Sequence, residues 1–102
     1  MLVFLCYISF MYCYVYIVQC SNGGLYTGVT SNLRRRIKQH NGIFKGGAQY
    51  TKMHRPVFLQ HIERYPTRKE ARAREKEIQS WDHGEKISLI QKTQKEAILS
   101  AI

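Results

Sequence analysis

CYVYIVQCSNGGLYTGVTSNLRRRIKQHN, from Cys13 to Asn41, is the part of the sequence that says most about the fold. Its first part, Cys13–Gln19, is rich in aromatic and β-branched residues, which favour a half-buried strand. Leu25–Val29 has the same character and predicts a second strand. The segment Ser21–Gly24 between them contains residues that tolerate positive φ, as a tight hairpin requires. We therefore expect two adjacent antiparallel strands.

A helix is predicted directly after the hairpin. Thr30 or Ser31 can cap its first turn, because a hydroxyl there accepts a hydrogen bond from an otherwise unpaired N–H group. The pair Asn41–Gly42 is typical of a helix C-terminus. The helix thus begins close to the end of the second strand.

Two pairs of residues organise this helix. Leu33 and Ile37 are four residues apart and predict its buried stripe. Arg36 and His40 are also four apart and lie to one side of that stripe. One cation and one imidazole are therefore expected to point together at the edge of the sheet.

These residues resemble the GIY-YIG nucleases, small domains that cut phosphodiester backbones with one divalent metal ion. Tyr14-Val15-Tyr16 stands where the family has its first triplet, with Gly and Ile replaced. Tyr26-Thr27-Gly28 stands where it has the second. Arg36 follows Gly28 by eight residues, as the family's helix arginine does, and His40 comes four residues later.

The resemblance covers roughly residues 12–90 and is closest to short single-domain bacterial members. It implies an α/β (α+β) domain, with a small three-stranded antiparallel sheet flanked by helices. Pro56–Ile62 alternates apolar residues and predicts the third strand, with proline at its first position. Gly42–Arg55, before it, contains three glycines without a clear period and predicts a loop.

Cations and one aromatic residue alternate in this loop, as in a surface that follows a nucleic-acid backbone. A solvated loop without a ligand is an equal alternative. Together with cations of the first helix, the predicted nucleic-acid-binding residues are Arg34, Arg35, Lys38, Lys45, Tyr50, Lys52 and Arg55.

A second long helix is predicted after Pro66, where Thr67 and Glu70 can form a capping box. Glu75 lies in the apolar stripe of this helix, between Ala71 and Ile78. A buried carboxylate needs a cation, either a basic side chain or a metal. From the residues alone, a salt bridge between Glu75 and a basic side chain is favoured. The resemblance instead implies that Glu75 is the metal ligand.

After a break at Asp82–Glu85, a last helix is predicted from Lys86 to about Ile98. We expect a domain over residues 11–92 and a helical tail over residues 93–102. Residues 1–10 are apolar, lack Lys and Arg, and are interpreted as an upstream extension from a misassigned start codon rather than a signal or membrane segment.

The net charge indicates the kind of partner, and the cysteine content indicates the redox environment. Sixteen Lys and Arg against seven Asp and Glu give a net charge of +9, which favours a polyanionic partner. The three cysteines, Cys6, Cys13 and Cys20, have neither zinc-site nor disulfide spacing, so we expect a reducing cytoplasm. No membrane association is predicted.

The resemblance implies a mechanism in which Glu75 holds Mg²⁺ or Mn²⁺ and Arg36 neutralises the phosphate. The general base is a tyrosine, with Tyr16 slightly favoured over Tyr26, and His40 relays the proton or holds the tyrosine. Gly28 allows close approach of the backbone.

The expected function is therefore metal-dependent endonuclease cleavage, of DNA rather than RNA, in repair or recombination, by a monomer or weak homodimer. The alternatives are a non-cleaving nucleic-acid-binding module of the same fold and an interaction module that uses the apolar N-terminus.

Overall fold

A computed structural model of the chain describes residues 12–93 together with Lys95 and Ile98. It confirms the expected α+β fold. The predicted extension, residues 1–10, lies outside the described residues, as does most of the predicted tail. The elements in chain order are β1 (Cys13–Cys20), β2 (Leu25–Thr30), α1 (Leu33–His40), α2 (Gln49–Met53), β3 (Val57–Tyr65), α3 (Arg68–Gln79) and α4 (His83–Gln91).

The three strands form one antiparallel sheet in the order β2-β1-β3. The hairpin between β1 and β2 is confirmed, and Gly23 in its turn has φ +83°. Tyr16 pairs with Gly28 and Val18 with Tyr26, so both tyrosines come from neighbouring strands as expected. The third strand begins at Val57, one residue later than predicted, and extends to Tyr65.

Side chains of β1 alternate between two helical layers. On one face Val15 and Ile17 pack with Ala71 and Ile78 of α3. On the other face Tyr16, with its neighbours along β1, packs with Leu33 of α1 and with residues of β3. β2 and β3 are the two edge strands of this sheet, and α1 and α3 pack on its opposite faces.

The N-terminus of α1 differs from the expectation, because its cap is Asn32 rather than Thr30 or Ser31. The Asn32 side chain accepts a hydrogen bond of 3.1 Å from the Arg35 N–H. β2 continues through Thr30, whose hydroxyl accepts from the Asn32 N–H at 3.1 Å, and this moves the start of the helix. The C-terminus of α1 lies at Asn41–Gly42, as predicted.

The segment predicted as a loop between α1 and β3 contains the short helix α2. Its five residues offer too few positions for a helical period. Thr51 in this helix is fully buried against His40, so a tertiary contact fixes the turn.

The N-terminal caps of the last two helices also differ from the predicted ones. Thr67 caps α3 as expected by accepting from the Glu70 N–H at 3.2 Å, but within the described residues the Glu70 side chain makes no reciprocal bond. The reciprocal box instead joins Asp82 and Glu85, so the predicted break is the start of α4. Among the described residues, no helix is both long and apolar enough to span a membrane.

Candidate active site

The site is built on the contact between Tyr16 and Gly28. Tyr16 is 1% exposed on the central strand, and its side chain passes over its cross-strand partner toward the edge strand. A Cβ atom on Gly28 would lie 2.4 Å from the Tyr16 hydroxyl oxygen. Only glycine leaves room for the phenol, because real Cβ atoms do not approach an oxygen so closely.

Tyr16 meets two side chains of α1. Its hydroxyl lies 2.7 Å from His40 Nε2, and Arg36 Nε donates to its oxygen at 3.3 Å. His40 Nδ1 lies 2.7 Å from the Thr51 hydroxyl, which itself donates to the Ala48 carbonyl at 2.9 Å. The Thr51 oxygen therefore accepts from Nδ1–H, which leaves His40 Nε2 to accept the proton of Tyr16.

Burial fixes the protonation of this pair. Desolvation, with help from Arg36 and Arg55, lowers the pKa of His40 to about 4. Desolvation also raises the pKa of Tyr16 to about 12, although the hydrogen bond and charge of Arg36 oppose the rise. Near neutral pH the site therefore holds a neutral phenol hydrogen-bonded to a neutral imidazole.

Two further groups border the pair. The ring of Tyr26 meets that of His40 edge-on, with 5.3 Å between centroids. Arg36 also donates from a terminal nitrogen to Gln39 Oε1 at 3.1 Å, which fixes its guanidinium plane. Burial lowers the pKa of Arg36, but contacts with Tyr16 and Tyr26 outweigh burial and raise it above its ordinary value.

Glu75 brings a carboxylate to this site from α3. It is half-buried in the stripe of Ala71 and Ile78, and its charge is one of the causes that raise the pKa of Tyr16. Within the described residues its side chain makes no hydrogen bond or salt bridge, whereas Glu77 pairs with Arg74. The salt-bridge alternative for Glu75 therefore finds no partner in the described part of the chain.

The donor set fits one hard divalent ion. Mg²⁺ commonly binds one or two carboxylates and keeps several waters. Among the described residues, no group of three or more His, Cys, Asp and Glu side chains could hold a metal. A metal at this site would thus rest on Glu75 as the protein carboxylate, and on water and substrate oxygens.

Comparison with known proteins shows the family of the chain. The sequence profile of the GIY-YIG catalytic domain matches residues 12–87. The chain belongs to the GIY-YIG family. Relatives include a UPF0213 protein of Staphylococcus aureus strain Mu3 and another of strain N315. Each is 46% identical over 78 residues, which cover 76% of this chain and 92% of the relative.

A solved structure shares the fold of this GIY-YIG domain. It is the solution NMR structure of a UPF0213 protein from Bacillus halodurans, with 36% identity and a TM-score of 0.51. The match covers 79% of this chain and 84% of that one.

The structure brings all five predicted catalytic residues of the GIY-YIG motif to one region beside β2. Tyr16, Arg36 and His40 are in direct contact, Tyr26 packs on His40, and the charge of Glu75 acts on Tyr16 and raises its pKa. Gly28 lies beneath the phenol of Tyr16, so the close approach at this glycine is to a tyrosine side chain of the neighbouring strand.

The predicted nucleic-acid-binding residues are divided among several places. Arg35 lines an open groove of about 280 Å³ beside Arg36, while Arg34, Arg35 and Lys38 border a second hollow beside Phe44. Lys45 and Lys52 are exposed.

Two of those residues make contacts within the protein. The Tyr50 hydroxyl accepts from the Asn22 amide at 3.2 Å. Arg55 Nε donates to the His40 carbonyl at 2.7 Å, so Arg55 caps the C-terminus of α1.

Sequence reasoning missed two residues of the site. Thr51 fixes the tautomer of His40, and Arg68 of α3 lines the groove beside Arg36. The sequence did not indicate Thr51, because its helix is too short to show a helical pattern of apolar residues. Arg68 carried the weak signal of a cation in the first turn of a helix, where the dipole disfavours it.

We expect the stability of the protein to fall as pH drops from about 6.5 to about 4. The folded pKa of His40, about 4, lies below the unfolded value, so the unfolded state binds more protons in this window. The loss should reach about 3 kcal/mol, measured by urea denaturation at several pH values.

The His40→Asn variant should show a flatter pH dependence, and His83→Asn, at an exposed position on α4, should keep that of the wild type. Burial raises the pKa of Glu63, but hydrogen bonds from His61 and Arg74 outweigh it and hold the value at about 2, so Glu63 adds a loss of stability mainly below pH 4.5, which the three proteins share. Equal pH dependence in all three proteins would contradict the assignment.

Gly28→Ala should destabilise the protein by about 1–3 kcal/mol, because the new methyl group displaces the phenol of Tyr16. Thermal denaturation measures this loss. Gly84→Ala is the matched control, since its Cβ would approach no atom closer than 3.5 Å. If Gly28→Ala unfolds at the wild-type temperature, the close contact is not a constraint on the fold.

Proposed function

We propose that the protein is a metal-dependent endonuclease that hydrolyses phosphodiester bonds in DNA. The observation that carries this proposal is the placement of Tyr16 between a proton acceptor, His40 Nε2, and a cation, Arg36. A carboxylate without a protein partner in the described chain, Glu75, lies nearby. These are the groups that activation of water and neutralisation of a phosphate require.

Proton transfer follows from the hydrogen bonds. A tyrosine with a pKa of about 12 is a poor base by itself. Tyr16 can nevertheless take a proton from the attacking water while it passes its own proton to His40 Nε2. Arg36 donates to the phenol oxygen and stabilises negative charge that develops there.

Phosphate binding falls to Arg36 as well. Its guanidinium is held in place by Tyr16 and Gln39, and a planar fork suits two phosphate oxygens. Glu75 would hold Mg²⁺ or Mn²⁺, which when bound offsets charge on the phosphate and on the leaving 3′ oxygen.

The proposed substrate is DNA in preference to RNA. A net charge of +9 supports a polyanionic partner. Because the basic residues around the site would contact the backbone rather than base edges, we propose that DNA structure selects the substrate, as in repair or recombination. The proposal includes a cytoplasmic protein that acts as a monomer or weak homodimer.

Glu75→Gln should lower cleavage by about 10²-fold or more, because the amide binds a divalent cation poorly, while DNA binding persists. The assay follows labelled single-stranded, duplex and branched DNA, with RNA alongside, in Mg²⁺, Mn²⁺ or EDTA. Glu70→Gln is the matched control on the exposed face of α3. Salt-sensitive binding without cleavage by the wild type would favour the non-cleaving module.

Tyr16→Phe should lower the cleavage rate by about 10²- to 10⁴-fold, since it removes the group that passes a proton to His40. Tyr26→Phe should have a smaller effect, because Tyr26 meets His40 through its ring. Single-turnover rates on one DNA substrate compare the two, and circular dichroism checks that both variants fold. The opposite ranking would assign the base to Tyr26.

A further inference from the structure

A basic groove lies beside the candidate active site, at the C-terminal end of β2. It is an open hollow of about 280 Å³ between the first turns of α1 and α3, and its lining includes Asn32, Arg35, Arg36 and Arg68. Arg36 belongs both to this groove and to the contact with Tyr16. An occupant of the groove would therefore lie next to the phosphate that Arg36 holds.

Three arginines line this groove, and none of its described lining residues carries a carboxylate. Within the described chain, the side chains of Arg35 and Arg68 make no hydrogen bond or salt bridge, although Arg74 on the same helix as Arg68 pairs with two glutamates. Like charges in one hollow repel each other, and an anion between them relieves the repulsion.

Helix dipoles add to this positive potential. Arg68 is the first residue of α3, and Arg35 lies in the first turn of α1, which contains no acidic residue. A cation at a helix N-terminus is unfavourable for the helix itself. Two helices thus place arginines where local stability disfavours them, which is typical of positions retained for binding.

The positions of Arg68 and Glu75 on α3 indicate the direction in which a bound DNA backbone would run. The two residues are seven positions apart on α3, so they share one face and lie about 10 Å apart along the helix axis. A backbone that reaches both would run from Glu75, past Arg36, to Arg68.

We propose that Arg68 and Arg35 form a second phosphate subsite, which binds the backbone phosphate adjacent to the scissile one. The proposal deepens the nuclease function and rests on it. Guanidinium groups suit this role because each can donate two parallel hydrogen bonds to phosphate oxygens. The enzyme would then require substrate that extends past the cut on the Arg68 side.

A single neutral phosphate tests this subsite. A labelled DNA, of the form that the wild type cuts, carries one methylphosphonate at a fixed position, and the cleavage ladder in Mg²⁺ shows every other bond as an internal reference. In the wild type, the bond on one side of the neutral phosphate should be cut about tenfold less than the rest. In Arg68→Gln this selective loss should disappear, because the variant has already lost the contact with that phosphate, so neutralising the phosphate has no further effect.

Arg72→Gln is the matched control, since Arg72 is exposed on the same helix and does not line the groove. It should keep the wild-type ladder. If Arg68→Gln also keeps the depleted bond while the wild type cuts DNA, the subsite is refuted and the nuclease stands.

A second readout does not depend on cleavage. In EDTA, the salt dependence of DNA binding by Arg68→Gln should be weaker by about one released counterion than that of Arg72→Gln. Its melting temperature should not fall, because the substitution removes a cation from a helix N-terminus. An unchanged salt dependence would overturn the subsite, and absence of all DNA binding by the wild type would overturn the nuclease proposal itself.

Discussion

The packing of Tyr16 over Gly28 is the contact on which the site depends. The phenol starts on the buried central strand and reaches the sheet edge only because its cross-strand neighbour lacks a side chain. There it meets His40 and Arg36, so a core residue of the sheet also sets the position of α1. Because the core holds this side chain in place, the groups that would act on a phosphate are preorganised.

The segment between α1 and β3 supports the same contact from behind. Thr51 holds the Nδ1–H of His40, and the Ala48 carbonyl orients the Thr51 hydroxyl. Arg55 donates to the His40 carbonyl and adds a positive charge at the C-terminal end of α1, where the dipole favours it. What looks like a connecting loop therefore determines which nitrogen of His40 accepts a proton.

Glu75 differs from several other acidic residues of the described chain, because their carboxylates make hydrogen bonds within the protein. Glu63 receives hydrogen bonds from His61, Tyr65 and Arg74 on the face opposite Tyr16, and these bonds hold its pKa at about 2 although burial raises it. Asp82 and Glu85 cap α4 reciprocally. With those carboxylates engaged elsewhere, the groove beside Arg36 has no acidic side chain among the described residues that line it.

Local sequence rules are enough to specify the hairpin, the long helix α3 and the identity of the motif residues. These rules concern glycines in the turn, β-branched and aromatic strands, a threonine cap, and spacing along one helix. The four-residue spacing of Arg36 and His40 likewise suffices to put both side chains on one side of α1.

How those residues are used depends on tertiary packing. The tautomer of His40, the structural place of Arg55 and the approach of Arg68 to Arg36 each rest on contacts between segments distant in sequence. The cap at Asn32 and the short helix α2 also escaped local rules, because strand pairing and the burial of Thr51 set them. Local propensity cannot contain this information, since burial and long-range hydrogen bonds exist only once the layers have packed.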